Sequence, residues 1–275
     1  MTAVARGLAS LLLGLSVGAP AAAAGALPLW ELGVGVGALH RPHYRGAGQS
    51  HDWLLPVPYA VYRGEILRAS RDGVRALLVQ TERVDLDLSL SANPPAKSAD
   101  DSARAGMADL AANVEFGPSL NLTLARGDGW AFDFRAPLRA VTTIQSHPRT
   151  IGWVAAPKLN LDLTPGGWDL GLQAGPLWGS RGLHAYYYDV GPADATAERP
   201  QYRARGGYAG WQATTSLSRR VGNRWIGMFL RWDSVDGAVF ADSPLVRRRQ
   251  ALAFGIAVSW SLMQSDRLVT DRDTP

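Results

Sequence analysis

Cysteine is absent from the 275-residue chain, which excludes a disulfide framework. Beyond its N-terminal segment, no stretch approaches the roughly 18 consecutive apolar residues of a membrane-spanning helix. An excess of one charge is missing too. The net charge of +4 is scattered along the chain and is too small for a nucleic-acid surface. Stability must therefore come from a closed hydrogen-bonded sheet.

What is present begins with an export signal. Arg6 supplies a positive n-region, residues 8–17 an apolar h-region, and Ala22, Ala23 and Ala24 a small-residue cleavage site, the pattern of a secretory signal peptide. The strongest periodicity lies at the other end, in residues 250–263. There Leu252, Phe254, Ile256, Val258, Trp260 and Leu262 alternate with Ala251, Ala253, Gly255, Ala257, Ser259 and Ser261. Period two marks a strand. It exceeds the about five or six residues usual in soluble sheets and meets the roughly 9–11 that a tilted strand needs to cross a bilayer. The larger side chains suit lipid and the smaller ones a crowded barrel interior.

Further strands are expected at residues 30–39, 53–62, 84–90, 112–124, 130–140, 151–163, 168–178, 208–219 and 225–233. Residues 65–80 read as two short strands meeting at Asp72-Gly73, as one long strand, or as none. Short turns near residues 63, 82, 128, 166 and 222 alternate with long loops near 45, 100, 190 and 240. Outer-membrane barrels alternate short periplasmic turns with longer outer loops in the same way. Only an even strand number preserves that alternation. The expected fold is thus an all-β transmembrane antiparallel β-barrel of about twelve strands, or ten if residues 65–80 contribute none. The chain divides into a signal peptide (1–24), a barrel (25–265) and a polar periplasmic tail (266–275).

All 10 tryptophans fall near expected strand ends, where interfacial aromatic girdles place them. Against the assignment stand Pro56, Pro58, Pro118, Pro137, Pro157 and Pro176, each inside an expected strand, where proline removes a ladder donor and marks a bulge or bend.

Several motifs occur in order along the first half of the mature chain: Trp30-Glu31-Leu32-Gly33, Tyr44-Arg45-Gly46, Pro56-Val57-Pro58-Tyr59, Tyr62-Arg63-Gly64, Arg71-Asp72-Gly73-Val74, Leu86-Asp87-Leu88-Ser89 and Glu115-Phe116-Gly117-Pro118. With the closing strand through Gln264-Ser265, they resemble the MltA-interacting protein (MipA)/OmpV family of outer-membrane proteins. The resemblance implies an outer-membrane scaffold joining a lytic transglycosylase to a penicillin-binding protein in peptidoglycan remodelling, with no catalytic residues and no cofactor. It also admits a surface antigen or adhesin. A narrow channel for small solutes is the reading that the strand interiors leave open. The chain continues past Gln264-Ser265 as residues 266–275, a tail on which periplasmic partners of a monomeric barrel would bind.

Candidate chemistry is sparse. His40, His43, His51 and His147 fall in expected loops, and Ser146 beside His147 is a poor nucleophile–base pair because adjacent residues on an extended chain point apart. His40, His43 and His51, or Asp100, Asp101 and Asp109, match no metal-binding spacing. Asp85, Asp87, Glu115, Asp133, Arg135, Arg139, Lys158, Asp162, Arg231 and Asp233 fall on the non-lipid face, where mixed signs can pair across the lumen. Arg247, Arg248 and Arg249 precede the closing strand, where three guanidinium groups can hold lipopolysaccharide phosphates. Replacing all three with Gln should reduce lipopolysaccharide co-purifying with the barrel severalfold. Unchanged lipopolysaccharide, quantified by phosphate assay, would remove that role.

Overall fold

The computed structural model describes residues 26–64, 67–70, 73–81 and 83–270. The expected signal peptide and Asp72 lie outside these residues, as does the end of the tail. The strands are β1 (Ala26–Pro28), β2 (Trp30–Pro42), β3 (Ser50–Arg63), β4 (Leu67–Ser70), β5 (Gly73–Gln80), β6 (Val84–Asn93), β7 (Asn113–Gly127) and β8 (Trp130–Thr143). They continue as β9 (Thr150–Ala155), β10 (Lys158–Leu163), β11 (Asp169–Gly179), β12 (Gly207–Val221), β13 (Arg224–Ser234), β14 (Gln250–Gln264) and β15 (Leu268–Thr270). The single α-helix among the described residues is α1 (Arg181–Tyr188).

Pairing is antiparallel and follows chain order, with β9 and β10 acting as collinear halves of one stave between β8 and β11. β14 then pairs with β2, so the pairings return to their start. The 13-stranded sheet is a ring of twelve staves, the divided stave counting once. Residues 65–80 supply two of these, β4 and β5. No described helix is long and apolar enough to cross a membrane. A closed ring answers the same need, because backbone groups in lipid must find their partners within the protein.

Alternation places the side chains. On β14, Leu252, Phe254 and Ile256 are about half exposed, while Ala253, Gly255 and Ser259 are buried. Val34, Leu54, Phe116, Leu138 and Leu230 continue the outward apolar band on other staves. At the β14–β2 seam the strands approach so closely that a Cβ on Gly35 would meet the Val258 carbonyl and Ser259. The girdle is incomplete. Trp130, Trp153, Trp211 and Trp232 are exposed on the wall, and Trp178 shares their face through its pairing with Ala155, but Trp225 lines a lumen cavity and Trp53 turns inward to pack on His51 at 4.4 Å between ring centroids.

The prolines fall into two sets. The Arg63 amide donates to the Leu29 carbonyl, so odd-numbered amides of β3 point toward β2 and even-numbered ones away from it. Pro56 and Pro58 therefore remove donors only from the far edge of β3, which among the described residues pairs with β4 at Tyr62 and Arg63. Pro137, Pro157 and Pro176 lie at one level on successive staves, as the registers Leu138↔Ala155, Lys158↔Arg135 and Trp178↔Ala155 require. That level is where the stave divides between β9 and β10, and the ladder of β7 with β8 also lapses there, beside Pro118. This is the bend expected of strand proline.

The packed core lies at the long-loop end, outside the apolar band. Tyr44, Leu110, Tyr188, Val190, Val235, Phe240 and Leu245 bury one another there. β2 and β3 extend to Pro42 and Ser50, so the first outer loop is shorter than the expected residues 39–52. At the opposite end β1 pairs with β15 in a two-stranded ribbon. Gly35→Val should overpack the β14–β2 seam and destabilise the barrel by about 1–3 kcal/mol. The midpoint temperature of its heat-modifiable gel migration should fall, whereas Ala60→Val on the lipid face should leave it unchanged.

Candidate functional site: the capped lumen

The cap over the outer mouth is built from loops that the staves bring together. α1 starts because the Ser180 hydroxyl accepts from the Leu183 amide, and it ends at Asp189, whose backbone is extended. Its buried residues, His184 and Tyr188, are spaced to share one face. Tyr188 stacks on Phe240 with centroids 3.8 Å apart and donates to the Arg45 carbonyl at 2.8 Å. The Tyr44 hydroxyl donates to the Leu245 carbonyl at 2.7 Å. Arg104, 4% exposed, donates to the carbonyls of Tyr187 and Ala108. Arg199 donates to the carbonyls of Asp194, Ala103 and Ala105. Two guanidinium groups thus satisfy loop carbonyls that strands would otherwise pair.

Burial dominates the protonation of this cap. It pushes the Tyr187 hydroxyl up to about 12 and those of Tyr44 and Tyr188 up as well. Burial holds the His184 imidazole below its ordinary value, and the charge of Arg45 adds to that, against the Arg205 carbonyl bonded to Nδ1 at 2.7 Å.

Below the cap lies a cavity of about 220 Å³ lined by Arg41, Arg45, Glu115, Arg139, Arg231 and Tyr187, among others. Arg45 donates to the carbonyls of Ala209, Trp211 and Ser234, and its Nε lies 3.1 Å from Asp233. Arg231 reaches Asp233 at 2.8 Å, and Arg139 lies 3.7 Å from Glu115. Further in, Arg135 bridges Asp133 and Asp162 at 3.1 and 3.0 Å. Lys158 donates to Gln173, and Asn121 donates to Asp87. Asp85 also faces the interior and is engaged. A second, apolar cavity of about 300 Å³ is lined by Leu39, Leu55, Val57, Trp225 and Phe229. The staves β2, β12 and β13 line both cavities, the charged one nearer the cap and the apolar one further in.

Inward charges also appear where residue type alone gave no pointer. Glu31, fully buried, accepts from Arg63 at 2.9 Å and Arg220 at 2.6 Å near the short-turn end. Arg41 lies in β2, not in a loop, and shares the inward parity of Leu39. Extending the alternation of β2 by one more pair would have found it. Arg247, Arg248 and Arg249 are exposed at the outer rim, with Arg249 3.6 Å from Asp242. Of the histidines expected in loops, His40 lies instead in β2 and His51 in β3, which extend past the expected strand ends; His40 bonds Asp52 at 2.6 Å and His43 bonds Asp101 at 3.1 Å. The rings of His43 and His51 are 6.2 Å apart. His147 is exposed. Asp101 caps a 3₁₀ turn through the Ala103 amide, and Asp109 accepts from the Ser98 amide. Among the described residues no three of these groups are arranged to hold a metal ion.

A ring of apolar-faced staves with short turns at one end and long loops at the other defines an outer-membrane β-barrel protein. The family model described as MltA-interacting protein MipA matches residues 34–262, and the chain belongs to this family. No curated protein sequence matches it significantly. Among solved structures it is similar to the NanC porin, at 8% identity over 84% of this chain and 100% of that one, with a TM-score of 0.38. It is also similar to outer membrane phospholipase A from Escherichia coli (10% identity, 84% and 92% coverage, TM-score 0.33). A third likeness is to OprD from Pseudomonas aeruginosa (8%, 92% and 97%, TM-score 0.27). Scores this low carry no functional argument.

Because the folded state holds His184 below the value of about 6.5 of an unfolded histidine, folding binds fewer protons there. Its contribution to cap stability is complete above that value and is lost as pH falls through the depressed one. The protection factors of residues 181–206, each exchange rate referred to the intrinsic rate at the same pH, should therefore fall from pH 7 to pH 4.5, and His184→Asn should flatten that dependence.

Proposed function

We propose that this protein is a non-catalytic interaction protein of the outer membrane, a scaffold for murein-remodelling enzymes that its monomeric barrel meets on the periplasmic side. The observation that carries the reading is the β1–β15 ribbon, with Ala26 opposite Thr270 and Pro28 opposite Leu268. The short turns alone offer little surface, and the ribbon adds to it a folded element with strand edges open to a partner. The membership of the chain in a family described by interaction with MltA supports the same direction. The capped outer mouth favours this reading over a solute channel, and the Glu31, Arg63 and Arg220 bridge takes up lumen space near the short-turn end.

The test is capture of a purified MltA-type lytic transglycosylase by immobilised barrel, compared with a version ending after Ser265. The full chain should retain the enzyme and the shortened one should lose at least about nine-tenths of it. Equal retention would move the partner surface off the ribbon. No retention by either, with steady conductance in planar bilayers, would replace the scaffold with a narrow channel.

A further inference from the structure

The cavity under the cap has an electrostatic imbalance that its own residues do not resolve. Four guanidinium groups line it, on Arg41, Arg45, Arg139 and Arg231. The carboxylates bonded to or facing them are Glu115 and Asp233, which leaves an excess of two positive charges. Three of the four arginines are engaged. Arg45 holds Asp233 and three carbonyls, Arg139 holds the Ser89 hydroxyl at 2.8 Å, and Arg231 holds Asp233. The Arg41 guanidinium makes no hydrogen bond or ion pair with any described residue. The like charge of Arg231 repels it, and Asp233 and Glu115 attract it from beyond bonding distance.

A guanidinium group within a protein wall, without a partner and beside a like charge, is costly. The cost falls once an oxyanion enters, since guanidinium is matched in shape and charge to carboxylate and phosphate. The space is also bounded. About 220 Å³ lies below the roughly 300–1,000 Å³ that holds drug-sized ligands, so the guest is small. Its surroundings are polar beyond the charges: Ser91, Asn93 and Gln212 share the lining and can bond hydroxyl or carbonyl groups of the same molecule.

We propose that the capped lumen binds a small oxyanion, a carboxylate or a phosphate, with Arg41 as its principal ligand and Arg139 and Arg231 flanking it. This site is independent of the periplasmic ribbon and stands whether or not the protein is a scaffold.

The test uses the full-length folded barrel in detergent, titrated at low ionic strength with inorganic phosphate and separately with acetate, with chloride at matched ionic strength as the control. Calorimetry reports binding and gives the constants. At least one oxyanion should bind more than tenfold tighter than chloride and raise the thermal midpoint, and Arg41→Gln should weaken that binding at least tenfold. Tighter phosphate than acetate would assign a phosphate site, and the reverse a carboxylate site. Chloride-level binding of both, or unchanged affinity in Arg41→Gln, would overturn the proposal. Because the Arg41 guanidinium bonds to no described residue, Arg41→Gln should fold and be no less stable than the native chain without added anion. Its failure to fold would also overturn the proposal by revealing a structural role.

Discussion

Every feature of this molecule depends on the requirement that backbone amides and carbonyls in lipid be paired within the protein. With no described helix able to span and no cysteine to staple loops, the ring of strands is the structure's source of order. Closure at the β14–β2 seam requires the glycine face of β2, because side chains there would strike the β14 backbone. Closure also creates two unlike surroundings for each stave, and the side chains sort accordingly, large and apolar outward, small or charged inward.

That sorting explains what could be read from residues alone. β14 was legible almost to its last residue because both of its faces meet uniform surroundings, lipid on one side and a tight lumen on the other. β4 and β5 were legible through Asp72-Gly73 and the parity of the loops, although their side chains lie outside the described residues. The helix α1 was not legible. Eight residues with a glycine and three tyrosines carry little helical preference of their own, and short helices take their stability from packing, here against Phe240. The inward turn of Trp53 and Trp225 was hidden as well, since tryptophan suits both the interface and an apolar lumen wall. The lumen ion pairs were legible as inward charges but not as partners. Arg45 and Asp233, or Glu31 and Arg220, meet only through registers set across several staves.

The two ends of the barrel solve different problems. At the outer end, loops in water build an aromatic core of the kind a soluble protein uses, tied by arginines to backbone carbonyls. At the inner end, the chain joins its first and last described strands into a ribbon. Between them an apolar cavity lies further in on the same staves that carry the charged cavity beneath the cap, a change along the axis that a barrel filled only for stability does not require.

The wall is also unequal around its circumference. Among the described residues β3 meets β2 over its whole length but β4 at two positions, and Pro56 and Pro58 silence two donors on that same edge. In a ring the first seam to part converts a closed object into an open sheet, and the remaining seams then give way as they would in any sheet. A seam with few pairs is thus where such an opening starts, while well-paired staves govern the later stages of rupture.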